Sequence, residues 1–267
     1  IDGVEITPRV NLKELRYFNI YNCYFTELNP MFKDPSTLGG LAGSSSPLQT
    51  FQVGENEALT ADGIDFSLMT AIRSISIYDT ALPIPSGLQN KSTLRELNCN
   101  YTRFPSRNPT ANHSSPGGLP EPQNNYLWNN FNPTALGDYA LQGCSNLRNL
   151  RFYASNLDGM IPKFTGNTEL RTIDFRNTNI EGGRPGGLGA TYNGGDHGRR
   201  YIMWNDTFQD AQKIQQIRIF SSNLGRNIGI WDNTTQTYSG AEFEDSTFSL
   251  PRLNYLLIDT NGNYLNG

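Results

Sequence analysis

Side chains that could carry out acid–base or nucleophilic catalysis are sparse in this sequence. The two histidines, His113 and His197, lie in stretches rich in glycine and proline, where no spacing pairs a base with a nucleophile. Two short groups of carboxylates are more typical of charged loops than of an acid–base pair: Asp62 and Asp65, and Glu242, Glu244 and Asp245. We therefore expect no enzyme activity, no bound metal and no cofactor.

Tyrosine and arginine recur at fixed positions of a repeated pattern and could form a binding surface. Eight residues at pattern positions 5 and 7 are candidates for this surface: Tyr21, Tyr78, Tyr153, Arg151, Asp174, Arg176, Arg218 and Phe220. Tyrosine and arginine are enriched at the hot spots of protein interfaces, and the combination also suits a sugar or an acidic peptide. The alternative is a solvated sheet face with cross-strand charge pairs, such as Arg151 beside Asp174.

The pattern that positions these residues is clearest in two consecutive units, at 147–157 and 170–180. Each unit has apolar residues at positions 1, 4, 6 and 11 and a small polar residue at position 9. Positions 4 and 6 point the same way along a strand, and a polar side chain at position 9 can bond the buried backbone of the turn. Each unit therefore predicts one short strand, with positions 3, 5 and 7 on the opposite, concave face.

The same pattern fits eight stretches of the chain, which begin at Leu15, Leu48, Ile72, Leu94, Leu147, Leu170, Ile214 and Leu253. Irregular spacing between them predicts long loop insertions near 30–47, 103–135, 182–205 and 225–246 within a single domain spanning 1–267. One short helix is expected at 134–143, because Pro133 precedes it and Gly143 can end it.

The repeated pattern resembles that of leucine-rich repeats. Residues 156–162, Asn-Leu-Asp-Gly-Met-Ile-Pro, resemble the Asn-Leu-x-Gly-x-Ile-Pro segment of plant-type repeats. Residues 136–147, Leu-Gly-Asp-Tyr-Ala-Leu-Gln-Gly-Cys-Ser-Asn-Leu, are similar to BspA-like repeats, which occur on bacterial surface proteins and in some tailed-phage virion proteins. The resemblance implies an α/β-type but β-rich, right-handed solenoid with one parallel sheet of about eight short strands.

Three cysteines, Cys23, Cys99 and Cys144, have no metal-binding spacing. Cys99 is at position 6 and Cys23 at position 9, and Cys144 shortly precedes a strand. We expect all three to be buried free thiols, since unpaired cysteine behaves as a small buried hydrophobe.

Arginine also recurs at position 2, in Arg16, Arg73, Arg95, Arg148 and Arg171. A stacked row of like charges is unfavourable unless the charges are solvated or paired. We expect these side chains to spread outward along an edge of the sheet, or to bind an acidic partner.

The overall charge argues against some classes of partner. The 267 residues carry a formal net charge of −4, and 17% of them are charged, which disfavours nucleic acid or an anionic membrane held by bulk charge. No hydrophobic run approaches membrane-spanning length, and we expect no signal peptide within these residues. Because the sequence begins at Ile1 and not at Met, we expect it to be a segment of a larger chain or a processed chain.

These patterns, together with the resemblance, predict a non-catalytic module that mediates protein–protein contact. The expected partners are other protein subunits of a larger assembly. The context implied is a tailed-phage virion, in its baseplate, tail or fibre, with a virion or extracellular location. The alternatives are a bacterial cell-surface adhesin and a module that binds a host receptor or carbohydrate.

Overall fold

The computed structural model describes residues 15–27, 47–60, 64–67, 69–104, 136, 140–157, 161–178, 180, 200–204, 206–220, 228–232, 237–239 and 250–259. Eleven strands and no helix lie within these ranges. The strands are β1 (Tyr17–Asn19), β2 (Thr50–Gln52), β3 (Ser74–Ser76), β4 (Glu96–Asn98), β5 (Asn149–Arg151), β6 (Thr172–Arg176), β7 (Arg200–Trp204), β8 (Gln216–Phe220), β9 (Ile228–Asp232), β10 (Thr237–Ser239) and β11 (Tyr255–Asp259).

Eight of these strands form one open, parallel sheet in the order β1-β2-β3-β4-β5-β6-β8-β11. Neighbouring strands pair in register at the same pattern position throughout. Position 4 runs across the sheet through Phe18, Phe51, Ile75, Leu97, Leu150, Ile173, Ile217 and Leu256. The prediction of a β-rich fold with one parallel sheet of short strands is confirmed, and every predicted unit contributes one strand to it.

The hydrophobic core lies beneath this sheet and consists of the apolar pattern positions. Positions 1, 4 and 6 are buried from the second unit to the seventh, and position 11 is buried at Leu82, Phe104, Leu157 and Ile180. Stacked units continue each row of contacts; the ring centroids of Phe152 and Phe175, for example, are 5.7 Å apart. Full burial stabilises the fold by about 1.5–3 kcal/mol for each large side chain. In the second unit the pattern is wrong by one residue, because Ala58 is exposed and Leu59 is buried in its place.

In four of the units, position 9 closes the turn after the strand, as the pattern predicts. The hydroxyls of Thr80, Ser155 and Thr178 donate to the position-6 carbonyl three residues earlier, at 2.8–2.9 Å. In the second unit Asn56 serves the same purpose, since its Nδ2 contacts the carbonyls of Val53 and Gly54. These side chains supply hydrogen bonds to buried backbone carbonyls of the turn.

Position 8 has a left-handed backbone in the first six units. The residues are Asn22, Glu55, Asp79, Tyr101, Ala154 and Asn177, with φ between 50° and 56°. A residue other than glycine pays about 1–2 kcal/mol for this conformation, and asparagine and aspartate tolerate it best. The turn therefore imposes the same local strain on each of these six units, including those whose residue is poorly suited to it.

A second, three-stranded sheet in the order β10-β9-β7 was not predicted. In it β9 pairs in parallel with β7 and in antiparallel with β10. Its strands come from the 182–205 and 225–246 segments, for which the sequence analysis predicted only loops. The strands were not predicted because the β-branched and aromatic residues of 200–204 and 228–232, which favour strands, were overlooked.

The last four residues of the helix predicted at 134–143 are not helical. Residues 140–143 make a turn, while 134–135 and 137–139 lie outside the described residues. The backbone groups here bond to neighbouring units: Gln142 accepts from the amide of Asn90, and the amide of Gly143 donates to Thr165. Bonds between units thus replace the bonds along the chain that a helix requires. The predicted insertions at 30–47 and 103–135 fall almost entirely outside the described residues.

Replacing Ala154 with glycine is expected to stabilise the protein by about 0.5–1 kcal/mol, because relief of the left-handed backbone outweighs the entropy lost by glycine. Chemical denaturation of the two proteins measures the change in the free energy of unfolding. The matched control is Ala140→Gly, whose φ is not positive and which should therefore destabilise. Destabilisation by both substitutions would contradict the strain assigned to position 8.

Two of the three thiols are shielded by burial. Burial raises the pKa of Cys144 to about 11 and that of Cys99 well above its usual value, so both remain protonated at pH 8 and unreactive, since the thiolate is the nucleophile. Cys23 is only partly buried, contrary to expectation. We expect an Ellman titration at pH 8 to detect one fast thiol in the native protein and three after unfolding. A second fast native thiol would contradict this burial.

Candidate functional site

Aromatic residues collect where the strands of the main sheet end, at positions 7 and 8. Tyr78, Tyr101 and Tyr153 contact one another in sequence, with ring centroids 5.6 and 5.2 Å apart and nearly perpendicular planes. Arg176 continues the row, with its Cζ 4.9 Å from the ring centroid of Tyr153. We call this row, together with Tyr21, the tyrosine strip.

Tyr21 joins the strip because position 7 of the second unit is a glycine. A Cβ at Gly54 would lie 2.8 Å from Cε2 of Tyr21, so the ring of Tyr21 occupies the space that a side chain at Gly54 would need. The Tyr21 hydroxyl donates to Glu55 at 2.8 Å. This hydrogen bond is the main reason why the pKa of Tyr21 is raised. The missing side chain at Gly54 thus leaves room for an aromatic ring from the neighbouring unit.

Tyr101 lies at the centre of the strip, between Tyr78 and Tyr153. It is the position-8 residue of its unit and has the left-handed backbone of the turn. Position 7 of its own unit is Asn100, whose Oδ1 accepts a hydrogen bond from the backbone amide of Tyr153 at 2.8 Å. A hydrogen bond to Tyr153 raises the pKa of the Tyr101 hydroxyl. Edge-to-face aromatic pairs contribute about 0.5–1.5 kcal/mol each, and an exposed cation–π contact about 0.5–1 kcal/mol. The strip is therefore held in place by its own contacts before any partner binds.

The charged residues predicted for this surface pair with one another. Asp174, only 7% exposed, receives two bonds from Arg176, at 2.8 and 2.6 Å, and lies 3.7 Å from Nη1 of Arg218. Arg151 is adjacent to Asp174 in register but forms its ion pair with Glu96, at 3.2 Å. Most of the positive charge expected on this face is thus balanced locally.

The structure brings most of the predicted site residues together in two columns. Tyr21, Tyr78, Tyr153 and Arg176 belong to the strip, while Arg151, Asp174 and Arg218 lie one column earlier on the strands. Phe220 pairs with Arg176 through the backbone of β8, and its side chain lies outside the described residues. Tyr101 was not among the predicted residues, although an aromatic residue at a turn position, in the unit between those of Tyr78 and Tyr153, was a signal that could have found it.

The described residues contain neither a metal-binding cluster nor a membrane-spanning helix. No group of three histidine, cysteine or carboxylate side chains there is arranged to hold a metal ion. The same residues contain no helix of the length and apolarity needed to cross a membrane. His113 and His197 lie outside the described residues.

No family model, no curated protein and no solved structure matches the chain.

Asp174 is expected to matter more for stability than an exposed acid. Replacing it with asparagine removes the anion that Arg176 and Arg218 share and leaves two cations together, which should destabilise the protein by about 2 kcal/mol. Denaturation by urea measures this change. Glu57→Gln is the control, because Glu57 and Arg103 are both more than 60% exposed in a single 3.6 Å pair, which is worth little. Equal effects of the two substitutions would contradict the role of Asp174.

Proposed function

We propose that this chain is a non-catalytic leucine-rich-repeat module that acts by binding another protein through its tyrosine strip. Support for the repeat assignment comes from the eight pattern units, which form one in-register parallel sheet, and from the polar side chain at position 9, which closes the turn in four of them. A right-handed solenoid is part of the same proposal, because parallel strands joined by crossovers follow that hand almost without exception.

The contacts within the strip are the observation that carries the proposal. Tyr21 and Tyr101 are 52% and 42% exposed, although their rings are fixed by Gly54 and by the neighbouring tyrosines. Tyrosine and arginine supply much of the binding energy at protein interfaces, and an ordered side chain loses little entropy when a partner binds. Pairing of Asp174 with the arginines lowers the charge that a partner would have to desolvate.

The partner we propose is another protein subunit of a larger assembly. As the biological context we propose a tailed-phage virion, in its baseplate, tail or fibre, on the basis of the resemblance of 136–147 to BspA-like repeats. A bacterial surface adhesin is the alternative context for the same kind of contact.

A second candidate is binding of a host glycan on the same strip. It is favoured by the amide side chains of Asn98 and Asn100, which lie beside the tyrosines at positions 5 and 7 of β4 and its turn. Aromatic rings flanked by amides can pack on a sugar ring and bond to its hydroxyls. In this case Tyr101→Ala would abolish retention on immobilised glycans.

A photo-crosslinking amino acid at position 101 tests the proposal in the native assembly. We expect it to capture a specific protein subunit, because a partner on the strip must contact the exposed ring of Tyr101. In solution, Tyr101→Ala should weaken binding of that subunit by about 2 kcal/mol, or about thirtyfold.

Tyr24 provides the matched control, since it is fully exposed and lies outside the strip. Crosslinks of equal yield from positions 24 and 101 would contradict the proposal. Capture at neither position, combined with glycan retention that depends on Tyr101, would favour the second candidate.

A further inference from the structure

A row of arginines lies at the other end of the strands from the tyrosine strip. Position 2 immediately precedes the strand, and in four successive units it is Arg73, Arg95, Arg148 and Arg171. We call these residues the arginine ladder. The amides of Arg95, Arg148 and Arg171 each donate to the carbonyl of the preceding ladder residue, at 2.7, 2.8 and 2.9 Å. Backbone hydrogen bonds therefore hold the four residues in one straight column.

The ladder concentrates positive charge on a chain whose formal net charge is −4. Arg73, Arg95 and Arg148 are exposed, and no ion pair among the described residues involves them. Arg171 lies 3.9 Å from Glu169, which also pairs with Lys213. Like charges on adjacent strands, about 4.8 Å apart, are destabilising. The ladder is thus an unfavourable feature of the isolated chain, and a bound polyanion would relieve it.

The surroundings of the ladder restrict the class of partner. The residues on either side of it in these units include small polar ones, among them Ser74, Thr93, Asn146, Asn149 and Thr172, and two carboxylates, Glu96 and Glu169, which pair with Arg151 and Lys213. A protein partner normally needs an apolar or aromatic anchor, and single-stranded nucleic acid needs aromatic rings for its bases. The tyrosines that could serve either purpose lie at the opposite ends of the strands. A hydrated anionic polymer requires neither kind of anchor.

We propose that the arginine ladder binds a linear acidic polysaccharide whose sugars carry carboxylate or sulfate groups. One guanidinium projects from each unit, and the strand spacing is close to the advance of a polysaccharide per sugar ring, so successive acid groups meet successive arginines. The planar guanidinium also bonds an oxyanion through two parallel N–H groups. This site is separate from the tyrosine strip, and the proposal does not depend on the function proposed for that strip.

Heparin, a sulfated polysaccharide, is a suitable probe at low salt. Arg95→Gln with Arg148→Gln should weaken heparin binding about tenfold, because two charge contacts at the centre of the ladder are lost. The matched control is Arg103→Gln with Arg252→Gln, which removes the same charge from exposed residues off the ladder and should change binding less than about twofold. Equal losses from the two double variants would show attraction by bulk charge and overturn the proposal.

A gain of binding provides a second and independent measurement. Gln215 occupies the next place in the column, since its backbone amide donates to the carbonyl of Arg171 at 2.8 Å. Gln215 is also exposed. Gln215→Arg should tighten heparin binding about threefold by adding one contact. Gln209→Arg adds the same charge at an exposed site outside the column and should have no effect. No gain from Gln215→Arg would contradict the ladder as the binding site.

The class of polymer is decided by competition. Polyglutamate and oligothymidylate of the same charge as the heparin should bind at least tenfold more weakly to the unaltered protein. Tight binding of polyglutamate would identify an acidic protein segment as the partner, and tight binding of oligothymidylate a nucleic acid. Either outcome would overturn the polysaccharide proposal. Unchanged unfolding midpoints for all the variants would establish that the differences arise from binding and not from the fold.

Discussion

The in-register pairing of parallel strands is the constraint on which the rest of the structure depends. A slip of one residue would move every side chain of a strand to the opposite face. Because no slip occurs between β1 and β11 in the main sheet, each pattern position becomes a straight column. The buried columns form the core, and position 9 closes four of the turns. The column at position 2 gives the arginine ladder, and the column at position 7, together with Tyr101 at position 8, gives the tyrosine strip.

The strands and core could be predicted from the sequence because each unit packs against its neighbours in the same way. The same pattern of apolar residues therefore recurs in every unit. The structure differs from the prediction where the local backbone or packing departs from the repeated pattern. In the second unit Leu59 is buried in place of Ala58, one residue later than the pattern. The turn at 140–143 replaced a predicted helix because its backbone bonds to neighbouring units. The second sheet was missed because its residues follow strand propensity and not the repeat.

The candidate surfaces were predictable to a different degree. The shared pattern position of Tyr78, Tyr153 and Arg176 was enough to predict that they would lie together, since the register determines which residues of neighbouring strands are adjacent. Columns of this kind are the only information that the pattern contains about neighbours. They could not indicate Tyr101, whose position depends on the φ of its turn, or the pairing of Arg151 with Glu96, which depends on side-chain reach. The two surfaces lie at opposite ends of the same strands and differ in chemistry, so this sheet could hold a protein and an anionic polymer at once.

Both surfaces depend on the register between strands that long segments separate in sequence, and NMR tests this register most directly. In a deuterated sample, backbone NOEs should connect Leu97 with Leu150 and Ile173 with Ile217, as the pairing of β4 with β5 and of β6 with β8 requires. These contacts would establish that the columns continue across residues 105–135 and 181–199 of the sequence. NOEs from Leu97 to Asn149 or Arg151 in place of Leu150, or from Ile173 to a strand other than its two neighbours β5 and β8, would contradict the register and with it both proposed surfaces.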